Sequence, residues 1–417
     1  MCILTYAAAL SLVFILIPKR WLLMLLPFAV IFPVGQLPVN PKLQSLYPSL
    51  IAVVVLILRK MLSRNGRKWI DVPPFVGLLT FVGVLFLIVN VSYVNNFSIK
   101  SISFVGSIVI MIYVLPLLHF NDKETLALFT GWQLMILVVG IYSLIEFAFR
   151  KNFLLGNIYS RGNNPIEQSL WSTYRSTSLV GHPLVLTLIM SLSAILFYSL
   201  LWQTRSKSNL FFFALSSISC LTAVSRYILV LIPIIFLISL FVRHPSGYYR
   251  QIKNTLFNLP KLNSVLLPIA IIVLSIIAVA PNFFNRNSAS EGLYSISIRL
   301  ESLGTFFTNI ELTPLGKNTG NVLEYYSVTV SRGYGLENSL LQMVAGLGMI
   351  GSLLLVIQMY SYTQRWSLES KRTRLVPLMF ILTLAFSNFF DGYRYTHALF
   401  AVILILARYA DALEIKN

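Results

Sequence analysis

Apolar runs of helical length, separated by short polar connections, fill most of this chain. A helix needs about 20 residues to cross a bilayer, and five of the runs are about that long. They cover 72–92, 99–118, 125–148, 179–202 and 338–360. Shorter apolar runs lie at 3–17, 21–34, 46–58, 209–224, 227–242, 264–281, 375–390 and 396–409. The pattern predicts an all-α polytopic membrane protein with about 12–13 transmembrane helices.

Two stretches decide the number of spans. The first three runs are short, and Pro27, Pro33 and Pro48 interrupt this part of the chain, which leaves either two spans or three there. Residues 209–242 would form a helix about 51 Å long, whereas the hydrocarbon core of a bilayer is about 30 Å thick. We therefore predict two short helices in this stretch, with the polar pair Ser225-Arg226 at the turn between them.

The composition agrees with a membrane protein. Of all residues, 57% are hydrophobic and 11% are charged, against roughly 25% charged in soluble domains. The formal net charge is +18, which we attribute to the positive-inside bias of membrane proteins and not to nucleic-acid binding. The two cysteines, Cys2 and Cys220, both lie in apolar runs, so neither a disulfide framework nor a metal site is expected.

The distribution of basic residues predicts one orientation in the membrane. Seven segments assigned to the cytoplasm carry 20 of the 32 Lys and Arg residues, and the positive-inside rule is then satisfied at each short loop. These segments are Lys19-Arg20, 59–68, Lys123, 204–207, 243–261, 364–374 and the C-terminal Arg408 and Lys416. The longer loops at about 149–178 and 282–337 then lie outside. The predicted domains are a transmembrane bundle at 1–281, a large outer-loop subdomain at 282–337 and C-terminal transmembrane helices at 338–417.

This orientation gathers ionisable residues at the outer face. They are Arg161, Arg175, Arg226, Arg299, Arg332, Glu337, Asp391 and Arg394. Arginines on the outside oppose the positive-inside tendency, so topology alone does not account for them. Because guanidinium groups pair bidentately with phosphate, the cluster predicts an anionic ligand at this face.

Four sequence segments occur in a fixed order along the chain. They are YRSTSLVGHPLVLTLIM at 174–190, LTAVSRYILVLIPII at 221–235, SIRLESLGTFFTNIELTPLGKNTGN at 297–321 and GLENSLLQMVAGLGMIG at 335–351. Together they resemble the O-antigen polymerase and O-antigen ligase family of bacterial envelope enzymes. The likeness consists of an arginine before a membrane helix, a Ser-Arg turn, a loop arginine followed by a Pro-Leu-Gly turn, and an Asn-containing helix start.

The resemblance implies a C-type glycosyltransferase-like bundle in the bacterial inner membrane, with the large loop and the active site facing the periplasm. It implies metal-independent glycosyl transfer without a cofactor, from oligosaccharide repeat units carried on undecaprenyl pyrophosphate. The product would be an O-antigen, a capsule or an exopolysaccharide, and a polysaccharide chain-length regulator is a candidate partner. Ligases of the family carry His where this chain has Glu337, followed by the matching Asn338. The polymerase branch is therefore favoured.

The candidate residues suit this chemistry. A departing lipid pyrophosphate needs stabilisation of its charge, and the sequence has no DxD-type metal-ligand cluster. Arg175, Arg226 and Arg299 are therefore the candidate stabilising groups, and Glu337 is the candidate general base toward the attacking sugar hydroxyl. Further substrate contacts are predicted at Arg161, Arg332, Asn338, Asp391 and Arg394.

Structural alternatives exist for several of these residues. Glu337 could complement a helix dipole, Arg175 could anchor the membrane interface, and Arg299 could pair with a loop carboxylate. His182 and His397 are interpreted as structural. Two alternative functions also stay open: an O-antigen ligase that transfers glycan to the lipid A core, and a transporter of lipid-linked glycans. The matching internal halves of many transporters are not evident here.

Three glycines near residue 350 have the spacing of a dinucleotide-binding motif. They are Gly346, Gly348 and Gly351, but no strand precedes them and no βαβ unit surrounds them. We interpret them as small residues that let membrane helices approach closely.

Overall fold

The computed structural model describes residues 3–31, 48–62, 73–94, 97–154, 174–204, 206–223, 313–317, 319–320, 338–363, 373–384 and 395–416, with the isolated positions 301, 304, 306–308, 322 and 326. Its helices are α1 (Ile3–Leu16), α2 (Lys19–Ile31), α3 (Pro48–Leu62), α4 (Pro74–Val89), α5 (Ile99–Ile108), α6 (Asp122–Phe149), α7 (Pro183–Thr204), α8 (Lys207–Thr222), α9 (Ser339–Ser361), α10 (Leu375–Leu384) and α11 (Tyr395–Lys416). Two π-helical segments continue α4 and α5; these are Asn90–Val94 and Val109–Val114.

Five of the described helical segments are long and apolar enough to cross a membrane. They are Pro74–Val94, Lys100–Leu117, Asp122–Phe149, Pro183–Leu201 and Ser339–Ser361. They coincide with the five long apolar runs of the sequence, and the described residues contain no β-strand. The predicted class, an all-α polytopic membrane protein, is therefore confirmed. The total of about 12–13 spans stays a prediction, and most of the predicted loop subdomain at 282–337 lies outside the described residues.

Helix α7 occupies the centre of the bundle. In its apolar stretch 94% of the residues are buried, compared with 28% in the stretch that contains α4. Helix α7 packs against α8, α10 and α11. The exposed positions of α4 recur every three or four residues, as expected for a helix that turns one face toward lipid. They include Phe75, Leu78, Val82, Leu85 and Val89.

Polar contacts of three basic residues lie at one end of α6, which we call the Glu124 end. Lys19 and Lys60 both pair with Glu124, and Lys60 Nζ lies 3.0 Å from Glu124 Oε2. Glu124 also belongs to the capping box that starts α6, where a carboxylate complements the helix dipole. Arg408 donates to Pro116 O over 2.7 Å, just before α6 begins. Three basic residues that the sequence assigns to one side therefore share one end of the bundle.

The opposite end of the bundle, which we call the Glu146 end, holds the described parts of the predicted site. Glu146 lies in the last turn of α6 and contacts residues 174–178. Helix α5 runs from this end toward Pro116, and near its start Ser101 Oγ donates to Thr319 O over 2.7 Å. The chain around Thr319 and the start of α9 therefore lie at the same end as Arg175.

We predict that this end faces away from the cytoplasm. In a background without Cys2 and Cys220, single cysteines placed in 150–178 and 282–337 should react with a membrane-impermeant maleimide added outside. Cysteines in 243–263 and 362–374 should react only after the membrane is permeabilised, because the positive-inside rule places these segments in the cytoplasm. Labelling of 282–337 from the inside alone would contradict both the orientation and the site.

Candidate functional site

Two of the predicted site residues, Arg175 and Asn338, belong to the described part of the chain. The others lie outside the described residues, so their predicted roles stay predictions. They are Arg161, Arg226, Arg299, Arg332, Glu337, Asp391 and Arg394. The site is therefore built from two pairs of segments, one around Arg175 and one at the start of α9.

The Arg175 segment is a short connection that leads into α7. It continues through a 3-10 turn at Ser178–Val180 and ends at Gly181, whose φ is 78°. Pro183 then opens α7, a position where its missing N–H costs nothing and its fixed φ suits the helix. Ser178 has a φ of 50°, which is uncommon for a residue with a side chain. Such a backbone persists only where neighbouring contacts hold it.

Arg175 joins this segment to the end of α8. Its Nε donates to Ala223 O over 3.0 Å, and the backbone amide of Ser176 donates to Thr222 O over 3.1 Å. The last carbonyls of a helix have no partner within the helix, so these two bonds also satisfy the C-terminus of α8. Helix α8 ends at Thr222, within the stretch 209–242 where a break is predicted. The predicted turn at Ser225-Arg226 and the second helix lie outside the described residues and stay predictions. Arg226 follows Ala223 three positions later in the sequence.

A buried carboxylate holds the residues on both sides of Arg175. Glu146 is 0% exposed. Its Oε1 accepts hydrogen bonds from Tyr174 Oη at 2.8 Å, Thr177 N at 2.9 Å and Thr177 Oγ1 at 3.1 Å. Its Oε2 accepts from Ser178 N at 2.6 Å. All four contacts offer the carboxylate a donor, so they match its purely accepting oxygens.

A second layer of hydrogen bonds supports this arrangement from the chain that follows α6. Asn152 Nδ2 donates to Thr177 Oγ1 over 2.9 Å and to Ser178 O over 3.0 Å. Tyr142 Oη donates to Asn152 Oδ1 over 2.7 Å and accepts from Leu154 N over 2.8 Å. The 3-10 turn is thus tied to α6 and to the chain just after it.

The ionisation of two neighbouring side chains follows from their burial. Burial raises the pKa of the Tyr174 phenol, and the Glu146 carboxylate adds to this effect, so Tyr174 keeps the proton that it donates. Burial lowers the pKa of His182 to about 3, with a further contribution from Arg175. The neutral ring accepts a hydrogen bond at Nδ1 from Leu184 N over 3.3 Å. The structural interpretation of His182, as a contact at the start of α7, agrees with this geometry.

The second pair of segments meets at a break in α9. Gly348 has φ 74° and ψ 175°, so the helix is interrupted there. The 313–320 segment, which carries the Pro-Leu-Gly turn, fills the gap. Met349 N donates to Thr313 O over 3.3 Å and Ile350 N to Pro314 O over 3.4 Å. In return, Lys317 N donates to Ala345 O over 2.7 Å.

These bonds replace those that the break removes. In an unbroken helix Met349 N would donate to Ala345 O, and Ile350 N would donate to Gly346 O. In this structure both amides donate to the 313–320 segment, and both carbonyls accept from it, because Thr319 Oγ1 lies 2.6 Å from Gly346 O. Unpaired backbone groups are costly at membrane depth. The segment and the broken helix therefore supply each other's missing hydrogen-bond partners.

We call the contact between the 313–320 segment and the break in α9 the junction. Asn90 connects this junction to α4. Its Nδ2 donates to Leu315 O and lies 3.4 Å from Gly346 O, and its Oδ1 lies 2.7 Å from Thr319 Oγ1. Asn90 is 0% exposed. A buried amide is costly unless it is hydrogen-bonded, and the 313–320 segment and α9 together supply these partners.

Two glycines make the junction possible. A Cβ on Gly316, whose φ is 73°, would lie 2.2 Å from Gly346 O, and a Cβ on Gly348 would lie 2.2 Å from Pro314 O. The interpretation of the glycine motif as a helix–helix contact therefore needs correction at Gly348, where the approaching group is the backbone of Pro314. Gly351 does meet a neighbouring helix, since its Cβ would touch Phe86 of α4. At Gly346 the nearest group is the side chain of Val322, a helical residue.

Gly348→Ala should destabilise the protein strongly. The backbone conformation at Gly348 is essentially restricted to glycine and costs other residues about 1–3 kcal/mol, and the added methyl group would also clash with Pro314 O. We expect a lower melting temperature in detergent. Gly106→Ala in α5 is the matched control, because its Cβ would have no atom within 4 Å and Ala is favoured in helices. Equal melting temperatures for the two variants would contradict the junction.

Asn338 caps α9. Its Oδ1 accepts a hydrogen bond from Leu341 N over 3.1 Å, as is common for Asn at a helix N-terminus. The geometry gives this side-chain oxygen a structural contact, and the predicted substrate contact of Asn338 stays a prediction. Glu337 directly precedes this cap in the sequence.

In the described ranges, no group of three or more His, Cys, Asp and Glu residues could hold a metal ion.

Sequence reasoning assigned no role to Glu146 or Asn90, although a signal for each was present. Glu146 is the sole acidic or basic residue in the apolar run 125–148, and Asn90 is the sole side-chain amide in the run 72–92. Ionisable groups within membrane segments usually have a function or a specific partner.

Comparisons of the chain with protein-family models, with curated proteins and with solved structures found no match.

Proposed function

We propose that this protein is a polysaccharide polymerase of the bacterial inner membrane. It would join undecaprenyl-pyrophosphate-linked oligosaccharide repeat units at the periplasmic face to build an O-antigen, a capsule or an exopolysaccharide. One observation carries the proposal: the four sequence segments that resemble the polymerase and ligase family meet in two pairs, and both pairs lie at the same end of the bundle.

The contacts between the segments support this proposal. The segment 174–190 meets the segment 221–235 through the bonds of Arg175 and Ser176 to the end of α8. The segment 297–321 meets the segment 335–351 at the break in α9. These segments are far apart in the sequence, and they carry Arg175, Arg226, Arg299 and Glu337. A shared location is what a common reaction centre requires.

The proposed reaction follows from the chemistry of these residues. The hydroxyl group of the acceptor sugar attacks the anomeric carbon of the donor, so a new C–O bond forms while the bond to the pyrophosphate oxygen breaks. The proton of the hydroxyl passes to Glu337, and undecaprenyl pyrophosphate leaves with the electron pair. Arginines stabilise the charge on this leaving group, and the planar guanidinium suits phosphate oxygens better than an ammonium group does.

The surface glycan of a deletion strain tests this function. If the product is an O-antigen, the core of the deletion strain should carry a single repeat unit and no longer chain. If it is a capsule or an exopolysaccharide, the polymer should be absent while single lipid-linked units accumulate. Expression of the intact protein should restore the polymer in each case, and an O-antigen core without any repeat unit would favour the ligase or the transporter instead. A glycan that matches the parent strain would overturn the proposal.

A further inference from the structure

The position of Glu146 is unfavourable for stability. It is a completely buried carboxylate in the last turn of α6, where the negative end of the helix dipole disfavours a negative charge. Within the described residues no Lys or Arg forms an ion pair with it; the ion pairs there involve Glu124. Glu124 lies at the opposite end of the same helix, beside two lysines and at the favourable end of the dipole. The hydrogen bonds that Glu146 accepts from residues 174–178 are therefore what offsets the cost of burying it.

The contacts of Glu146 surround Arg175. The carboxylate accepts from Tyr174, directly before Arg175, and from Thr177 and Ser178, two and three positions after it. Both backbone amides bind one carboxyl group, one to each oxygen, which fixes the orientation of the turn. The same turn contains the strained φ of Ser178. Arg175, held between these anchors, points its Nε at Ala223 O over 3.0 Å.

We propose that Glu146 is a positioning residue that fixes the guanidinium group of Arg175 beside the end of α8. This inference rests on the proposed function, in which Arg175 stabilises the pyrophosphate leaving group. Glu146 does not act on the substrate itself. It sets the backbone on both sides of Arg175, so that the guanidinium is already in place when charge develops. Such preorganisation is sensitive to position, since a displacement of about 1 Å can cost about 10²-fold in rate.

Glu146→Gln is the variant that separates this role from packing. Gln keeps the volume but replaces one accepting oxygen with an NH₂ group, which then faces a backbone N–H or a hydroxyl donor. Glu124→Gln is the matched control, because it makes the same change on the same helix at the end remote from Arg175. In the purified protein, Glu146→Gln should lower kcat for chain elongation by about 10–100-fold with little change in KM, whereas Glu124→Gln should leave both near their normal values.

A double-mutant cycle decides whether Glu146 acts through Arg175. Contacting residues that work as a unit are not additive, whereas independent ones are. In the Arg175→Ala background, Glu146→Gln should therefore cost no further activity. Equal proportional losses in both backgrounds would overturn the proposal, and so would normal activity of Glu146→Gln. If Glu146→Gln does not fold, Tyr174→Phe removes one of the four donors and should show a smaller loss with the same lack of additivity.

Hydrogen–deuterium exchange tests the positioning independently of activity. In Glu146→Gln, peptides that cover 174–181 should exchange faster than in the wild type, including the Ser176 amide that donates to Thr222 O. In Glu124→Gln they should stay protected. Unchanged protection in Glu146→Gln would overturn the positioning role. A wild-type protein that does not elongate glycans would overturn the proposed function alone, because the exchange result still decides the role of Glu146.

Discussion

Glu337→Gln should slow chain growth by about 10²–10⁴-fold in a protein that still folds, inserts into the membrane and binds lipid-linked repeat units. Gln keeps the size and much of the hydrogen bonding of Glu but cannot accept the proton of the attacking hydroxyl. Glu337 directly precedes Asn338, the residue that caps α9. In the proposed topology this sequence position is the boundary between the outer loop and α9, where we expect sugars carried on lipid tails to react. Cells that carry the variant should accumulate single repeat units.

A second glutamate of the loop provides the control for this variant. Glu311→Gln makes the same change 26 positions earlier in the sequence, at a residue with no proposed role, and should leave polymer length normal. If Glu337 only complements the helix dipole, Glu337→Gln should cost less than about 1 kcal/mol of stability and the polymer should keep its length. Normal polymer at matched expression would remove Glu337 from the mechanism. Glu337→His should retain part of the activity, since imidazole also accepts a proton.

Arg175→Ala should reduce chain growth by about 10²–10³-fold, which is the usual cost of removing one group that stabilises charge in a transition state. Protein levels should stay near normal, because the Glu146 contacts to Tyr174, Thr177 and Ser178 do not involve the Arg175 side chain. Arg175→Lys should restore only part of the activity, since an ammonium group cannot form the bidentate contact with phosphate. Polymer length on gels, at matched expression, is the readout.

Lys151→Ala is the control for Arg175→Ala. Lys151 is an exposed cation that follows α6 at the same end of the bundle, so its loss should leave the polymer unchanged. Full-length polymer from Arg175→Ala, together with Arg226→Ala and Arg299→Ala, would contradict the arginine assignment. Equal losses from Lys151→Ala and Arg175→Ala would point to the general charge of this face and not to specific binding.

The membrane spans were predictable because a bilayer imposes one length on every helix that crosses it. The five longest apolar runs each became a described span. The end of α8 was predictable for the same reason, since 209–242 is too long for one crossing. The contacts that organise the site were not predictable, because they join residues that lie far apart in the sequence. Asn90 meets Leu315, 225 positions later, and no local pattern reports such a contact.

The environment of Arg175 was partly predictable. Sidedness and the order of the segments predicted that the Arg175 segment and the Ser225-Arg226 turn share one face. Arg175 contacts Ala223 O, two positions before that turn in the sequence. The partner atom itself was not predictable, because every residue offers the same backbone carbonyl. The glycines of α9 show a similar limit. Their spacing indicated a close approach, but it did not reveal that the approaching group at Gly348 is the backbone of Pro314.

The most direct test of the proposed polymerase is elongation by the purified protein alone. The protein is reconstituted in liposomes with undecaprenyl-pyrophosphate-linked repeat units, and a chelator is present to exclude divalent metals. We expect a ladder of products that differ by one repeat unit, with one undecaprenyl pyrophosphate released for each bond formed, and no ladder from Arg175→Ala. Repeat units that stay single with the wild-type protein, while a known polymerase elongates them in the same liposomes, would contradict the proposed function.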